Sequence, residues 1–160
     1  MDYIEIYTDG SHMKHGDGYL GIGAYCKYKG NEYKFSKDCK NLLVEYNIKE
    51  KISNPTCEFI GFCEILKMIY NTETKFNFIF KIDYIGVEKW MKGEWKCKKS
   101  YIKKIKEKCD FYIKNIISEI KIEHVEGHSG NYGNNQADIL AKSRNEINTF
   151  PELLKLIADM

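Results

Sequence analysis

Cysteine pairs at metal-ligand spacing are missing from this chain, and so is any apolar run of membrane length. The six cysteines stand at 26, 39, 57, 63, 97 and 109. None pairs as C-x-x-C, and no Cys/His quartet has zinc spacing, so a structural zinc site is excluded. They read as free thiols in a reducing compartment, with no disulfide-linked partner. Met1-Asp2-Tyr3-Ile4 is acidic and leads directly into a strand. No signal peptide or spanning helix is expected, which predicts an intracellular, cytoplasmic protein that avoids membranes. Repeats and low-complexity stretches are absent. Arginine is nearly absent too, with Arg144 alone, and net charge is only +2. Overall charge therefore does not announce a nucleic-acid binder. Its distribution says more, because nine lysines lie between Lys89 and Lys108 against Glu94 and Glu107. Such a stripe attracts phosphates, although a lysine run also reads as a solvated helix face.

The 160 residues, 43% of them hydrophobic, suffice for one domain with its own core. Ile4 and Ile6 alternate in a strand from Tyr3 to Thr8 that ends at Asp9-Gly10-Ser11. Tyr19–Tyr28 and Glu32–Cys39 form a hairpin around Gly30-Asn31. Asn41 to Ser53 reads as an extension of the third strand or a loop. Pro55 fits the first turn of a helix that carries Phe59, Phe62, Cys63, Leu66, Ile69 and Tyr70 on one stripe. Phe76–Ile82 is a strand ending at Asp83, and Tyr84–Met91 is a short helix. Ser100 caps a longer helix, Glu119–Val125 is the fifth strand, and Asn134 or Asn135 caps a helix with Ala137, Leu140, Ala141 and Ile147 inward. Thr149-Phe150-Pro151 restarts a short helix. The expectation is an α/β fold whose mixed five-stranded sheet has three antiparallel and then two parallel strands, with helices on both faces. Residues 1–148 form the main domain, and 149–160 a helix packed on or beside it.

Four acids stand out in that order. Asp9 and Asp83 each end a hydrophobic strand, so parallel neighbours would put both on the rim where α/β sheets bind ligands. Glu58 points with the apolar stripe of its helix, where an isolated charge is costly. Asp138 lies near a helix start at the edge of its inward face. Singly, such acids serve as turn formers or dipole partners. Together in one cleft they repel unless cations neutralise them, and oxygen-only ligands suit Mg²⁺ or Mn²⁺.

The segments around these acids carry a family resemblance. Ile6-Tyr7-Thr8-Asp9-Gly10-Ser11, with Gly18, Gly21, Gly23 and Ala24 after it, resembles the opening motif of type 1 ribonucleases H. Asn54-Pro55-Thr56-Cys57-Glu58 is similar to the family's Asn-x-x-x-Glu helix start. Asp83 to Lys96 is similar to the third-carboxylate segment. His124 to Gly130, with Asn134 to Lys142, resembles the last motif. The match spans residues 3 to 145, with four motifs in order.

The resemblance implies a ribonuclease H-like fold and endonucleolytic hydrolysis of the RNA strand of RNA–DNA hybrids. It implies 5′-phosphate and 3′-hydroxyl ends and two Mg²⁺ per site, replaceable by Mn²⁺, held by Asp9, Glu58, Asp83 and Asp138. His128 would assist proton transfer or product departure. Gly10, Ser11, Asn54 and Asn134 would contact the hybrid. Ser53 would grip a DNA-strand phosphate, and Trp90, Trp95 and Lys96 would line the DNA channel. Met13-Lys14-His15-Gly16-Asp17 replaces the family's Asn-Pro-Gly, and Asn135 a common glutamate. The stretch between Asp83 and Asp138 is short for a large basic handle, and no hybrid-binding module precedes Met1. A monomer is expected. Two other readings remain: a hybrid-binding scaffold without catalysis, and a nuclease of the same fold that acts on DNA.

Overall fold

Strand β1 (Ile4–His12) buries Ile4 and Ile6 completely, as their alternation requires. In the computed structural model, residues 3–12, 19–73, 75–127 and 130–160 are described. β1 pairs antiparallel with β2 (Leu20–Tyr28), which returns as β3 (Asn31–Asp38). The connecting turn is Lys29-Gly30, with φ of 50° and 83°. Two positive φ values match the right-handed twist of a hairpin, so the turn falls one residue earlier than Gly30-Asn31 suggests. The other edge of β1 pairs in parallel with β4 (Asn77–Ile82), and β4 with β5 (Glu119–His124). A two-residue strand, β6 (Ile147–Asn148), adds to β3 opposite Phe35 and Ser36. The sheet therefore has six strands in the order β5-β4-β1-β2-β3-β6, rather than five. Ile147 belongs to β6 and not to the preceding helix, because that helix stops at Lys142 and Arg144 turns to a φ of 62°.

The segment after β3 is helical where an extended strand or loop was expected: α1 (Lys40–Glu45) is a short helix that buries Leu42. α2 (Asn54–Thr72) begins with Pro55 in its first turn and packs on β1 and β2. α3 (Ile85–Met91) and α4 (Ser100–Asn115) follow β4. Ser100 is the first helical residue and Lys99 occupies the cap, so Ser100 does not cap α4. α5 (Tyr132–Lys142) is capped by Asn131, whose side chain accepts the Asn134 N–H at 3.0 Å, not by Asn134 or Asn135. α6 (Phe150–Ala158) sends Phe150, Leu153, Leu154 and Ile157 into the core with α2.

The sheet's two faces follow from the strand period of two. On β2, Ile22, Ala24 and Cys26 join the large core under α2, α4 and α6. Gly21 and Gly23 face the other way, against α5. A Cβ on Gly23 would lie 2.3 Å from the Ala137 carbonyl oxygen, and one on Gly21 1.8 Å from that of Ala141. Only glycine lets α5 sit this close to β2. Ser36 ties the arrangement at β3 by donating its hydroxyl to the Leu140 carbonyl at 2.7 Å. All six cysteines are free thiols, and all but Cys97 are buried. No helix among the described residues is long and apolar enough to cross a membrane.

Candidate metal centre

The register of the two parallel strands assembles the site. Thr8 pairs with Ile82 as the last rung between β1 and β4. Asp9 and Asp83 are the next residues along the two neighbouring segments, and so lie side by side. Asp9 does not end its strand, however. β1 runs on to His12 because β2 still pairs with it at Gly10, Ser11 and His12. Asp9 stands where β1 loses its parallel neighbour and keeps its antiparallel one.

Glu58 reaches the same point because Gly10 has no side chain. A Cβ on Gly10 would stand 2.3 Å from the Glu58 amide nitrogen and 2.4 Å from the Cys57 carbonyl carbon. The first turn of α2 thus rests directly on β1 backbone. Gly127, just after β5, completes the wall. A Cβ there would come within 3.2 Å of an Asp83 carboxylate oxygen. His124 anchors the same corner, its Nε2 lying 3.0 Å from the Asp83 carbonyl oxygen.

Carboxylate oxygens of Asp9, Glu58 and Asp83 all lie within 4.8 Å of one another. Asp9 and Glu58 are 4% and 6% exposed. Burial pushes the Asp9 carboxyl up to about 7 from 3.8. The Asp83 and Asp138 charges push the same way, against the lowering effects of Glu58 and of the Gly10 N–H, donated to Asp9 Oδ1 at 2.9 Å. Burial also raises Glu58 well above the usual carboxylate range, as do its contacts with Asp9 and Asp83. Two buried acids that resist ionisation beside a third form a site short of positive charge. Its donors are all oxygens, which fits a hard divalent cation. Among the described residues this is the one such group of close ligands.

Asp138 sits apart from the close trio. Its charge is felt at Asp9, but its side chain is 33% exposed and paired with Lys142 at 3.1 Å. His128 lies outside the described residues, as do residues 13–17. Asn134 is buried, and its Oδ1 has no hydrogen-bond partner among the described residues. Asn54 Oδ1 accepts the His12 N–H at 2.7 Å, which ties the end of β1 to the start of α2. His12 is the last residue of β1, and its Nδ1 is buried with no hydrogen-bond partner among the described residues. Ser11 is buried, whereas Ser53 is exposed.

Trp90 and Trp95 share an aromatic wall with Tyr84. Trp90 stacks on Phe59 with centroids 5.1 Å apart, and Trp95, 42% exposed, meets it edge-on at 6.5 Å. They line a cleft of about 300 Å³ with Ser53, Lys96 and Lys99. A second concavity of about 580 Å³ shares Ser53, Lys99 and Tyr101 with it and adds Lys51 and His12. Lys99 belongs to the lysine stripe read from the sequence, whereas Tyr101 was not singled out there. The available signal was the lysine run abutting the start of a helix.

A family model described as RNase H matches residues 1–146. The chain is 27% identical over 149 residues to a ribonuclease H of Ruthia magnifica subsp. Calyptogena magnifica, covering 88% of this chain and 94% of that one. RNase H1 from the halophilic archaeon Halobacterium salinarum NRC-1 superposes with a TM-score of 0.64 at 16% identity, over 89% of this chain and 96% of that one. LC11-RNase H1, solved in complex with an RNA/DNA hybrid, gives 0.61 at 16% identity, over 88% and 97%.

Proposed function

The chain belongs to the RNase H family, and we propose that it is an endonuclease that hydrolyses the RNA strand of RNA–DNA hybrids with divalent cations held by Asp9, Glu58, Asp83 and Asp138. The convergence of three carboxylates within 4.8 Å carries this reading. A protein of the same fold solved with an RNA/DNA hybrid bound supports the choice of substrate. Bound there, two Mg²⁺ ions, or Mn²⁺ in their place, would activate a water and stabilise charge on the departing 3′-oxygen, so that the cut would leave 5′-phosphate and 3′-hydroxyl ends. Asp9, Glu58 and Asp83 would hold the cations, and Asp138 would join them on releasing Lys142.

The protein groups around the acids then sort the strands. Backbone at Gly10, with Ser11, Asn54 and Asn134, reads the RNA strand, whose 2′-hydroxyls distinguish it from DNA. Ser53 takes a phosphate of the DNA strand, with Trp90, Trp95 and Lys96 along its path. Lysine contacts to phosphates make binding salt-sensitive. His128 moves a proton to or from the product as it leaves.

The test is cleavage of an end-labelled hybrid with Mg²⁺, Mn²⁺ or EDTA, beside duplex DNA and duplex RNA. The expected result is cation-dependent cutting of the RNA strand in the hybrid alone. Cutting of duplex DNA would assign a different nuclease of this fold. Hybrid binding without cleavage in either metal would assign a scaffold.

A further inference from the structure

One face of α4 stands outside the cleavage chemistry. Phe111 on that face is 53% exposed. Its ring meets Tyr70 at 5.6 Å and Tyr112 at 5.7 Å, and those two lie 5.3 Å apart. An open aromatic cluster differs from the singly scattered apolar residues of an ordinary surface. A concavity of about 440 Å³ opens beside it, lined by Tyr46, Lys104, Glu107, Lys108, Phe111 and Tyr112. Lys106 is paired with Asp110 at 2.8 Å. Lys104 and Lys108 have no carboxylate within ion-pair distance among the described residues. Lys108 instead stands 5.0 Å over the Tyr46 ring, a partner that leaves its charge uncompensated.

The concavity at Ser53 and this one are both lined by α4 and by α1 or its end. Leu43 of α1 and Lys99 and Tyr101 at the start of α4 line the first, and Tyr46 at the end of α1 and Lys104 and Lys108 further along α4 line the second. Lys99 and Phe111 are twelve residues apart in sequence, about 18 Å along a helix axis. Lys104 and Lys108 are one turn apart, about 6 Å in rise, a spacing suited to successive phosphates of an extended strand.

We propose that the seam between α1 and α4 is an accessory site for single-stranded nucleic acid, an unpaired overhang running on from a hybrid held at Ser53. The link to a hybrid rests on the function proposed above; the binding chemistry does not. Lysines follow the phosphates, and the Phe111 face accepts a base whatever its identity, since every base has a π-face. Glu107 stands between the two lysines and disfavours an acidic peptide, whereas a flat base stacks on Phe111 without contacting it.

Fluorescence anisotropy in EDTA with labelled oligothymidylate and oligouridylate of about ten nucleotides tests the site. Phe111→Ala should weaken binding on the order of tenfold, the loss of one stacked base. Lys104→Gln with Lys108→Gln should weaken it similarly and lower the slope of log affinity against log salt by about 1.4, at about 0.7 per single-strand contact. Both variants change exposed or half-exposed positions, and a circular-dichroism melt confirms that they fold. A hybrid with an overhang should show a lower KM than a blunt one in the wild type, and the advantage should vanish in both variants while blunt cleavage is unchanged. The site is refuted if the variants bind oligonucleotide like the wild type, if blunt and overhang substrates lose affinity equally, or if an acidic aromatic peptide binds this face and oligonucleotide does not. Lysine-dependent oligonucleotide binding in a wild type that cuts no hybrid would uphold the site and overturn the cleavage reading alone.

Discussion

Replacing Asp9 with Asn should stabilise the metal-free protein while abolishing cleavage. The folded carboxyl titrates near 7 rather than 3.8, so the folded state holds a proton that the unfolded chain has released. Between those two values unfolding free energy falls as pH rises, and above pH 7 the full penalty is present. A shift of that size is worth roughly 4 kcal/mol at about 1.4 kcal/mol per unit. Coulomb's law gives a similar scale: two charges about 5 Å apart at an effective dielectric of about 20 repel by roughly 3 kcal/mol. Asn keeps the Gly10 N–H bond through its amide oxygen and can donate to Glu58, so little is lost in exchange. Relaxation of the wild-type site reduces the gain to about 2 kcal/mol, and for a domain of this size that raises Tm by roughly 4–8 °C. The assay is thermal melting in EDTA from pH 4 to pH 8, repeated with Mg²⁺. Wild type and variant should melt together near pH 4 and diverge toward pH 8. Mg²⁺ should raise the wild-type Tm, by about 2.7 kcal/mol of stability at a hundred times its Kd, and leave the variant unmoved. A variant that melts no higher than wild type at pH 8 in EDTA, or one that Mg²⁺ still stabilises, would refute the argument.

Gly10→Ala should separate α2 from β1, since its Cβ would overlap the Glu58 amide at 2.3 Å. Cleavage and Mg²⁺ stabilisation should both fall at least tenfold while the circular-dichroism spectrum stays native. Tyr46→Phe removes the hydroxyl that donates to buried Glu64 at 2.8 Å, and urea unfolding should show a loss of about 1–3 kcal/mol with cleavage intact. His128→Ala should slow multiple-turnover cleavage while hybrid affinity and Mg²⁺ stabilisation persist, which steady-state kinetics and melting together resolve.

Much of this arrangement was legible in the chain because it depends on local periodicity. The alternation through Ile4 and Ile6 fixed β1, and that of Phe78, Phe80 and Ile82 fixed β4, so their adjacent aspartates could be paired before any coordinates. Pro55 and the stripe from Phe59 to Tyr70 located α2 and turned Glu58 inward. Features set by distant partners were not legible. β1 extends past Asp9 because β2 offers partners up to Leu20. β6 is two residues long and exists by pairing with Phe35 and Ser36. In α1, three consecutive apolar residues, Leu42, Leu43 and Val44, carry neither a helix nor a strand period, and Val44 is 81% exposed. The Asp138–Lys142 pair follows an i,i+4 spacing visible in sequence, but no sequence rule says that Asp138 would prefer lysine to the acidic trio.

That division between a close trio and a detached fourth acid has a physical origin. Bringing Glu58 against Asp9 took a glycine at 10, and bringing α5 against β2 took glycines at 21 and 23. The first contact places a carboxylate beside another inside the protein, where neither can escape to water. The second places Asp138 on the rim of α5, where its side chain turns toward solvent and Lys142. Repulsion therefore acts as pKa displacement at the buried pair, whereas Asp138 at the rim is compensated by Lys142. Cations bound as proposed would displace protons from Asp9 and Glu58 and compete with Lys142 for Asp138. Apparent cation affinity should accordingly rise with pH through about 7, where Asp9 titrates. In Lys142→Ala the affinity should increase, because the lysine competes with cations for Asp138. Isothermal titration with Mg²⁺ across pH 5.5 to 8.5 measures both effects, and a Lys142→Ala variant that bound Mg²⁺ no more tightly than wild type would refute the competition.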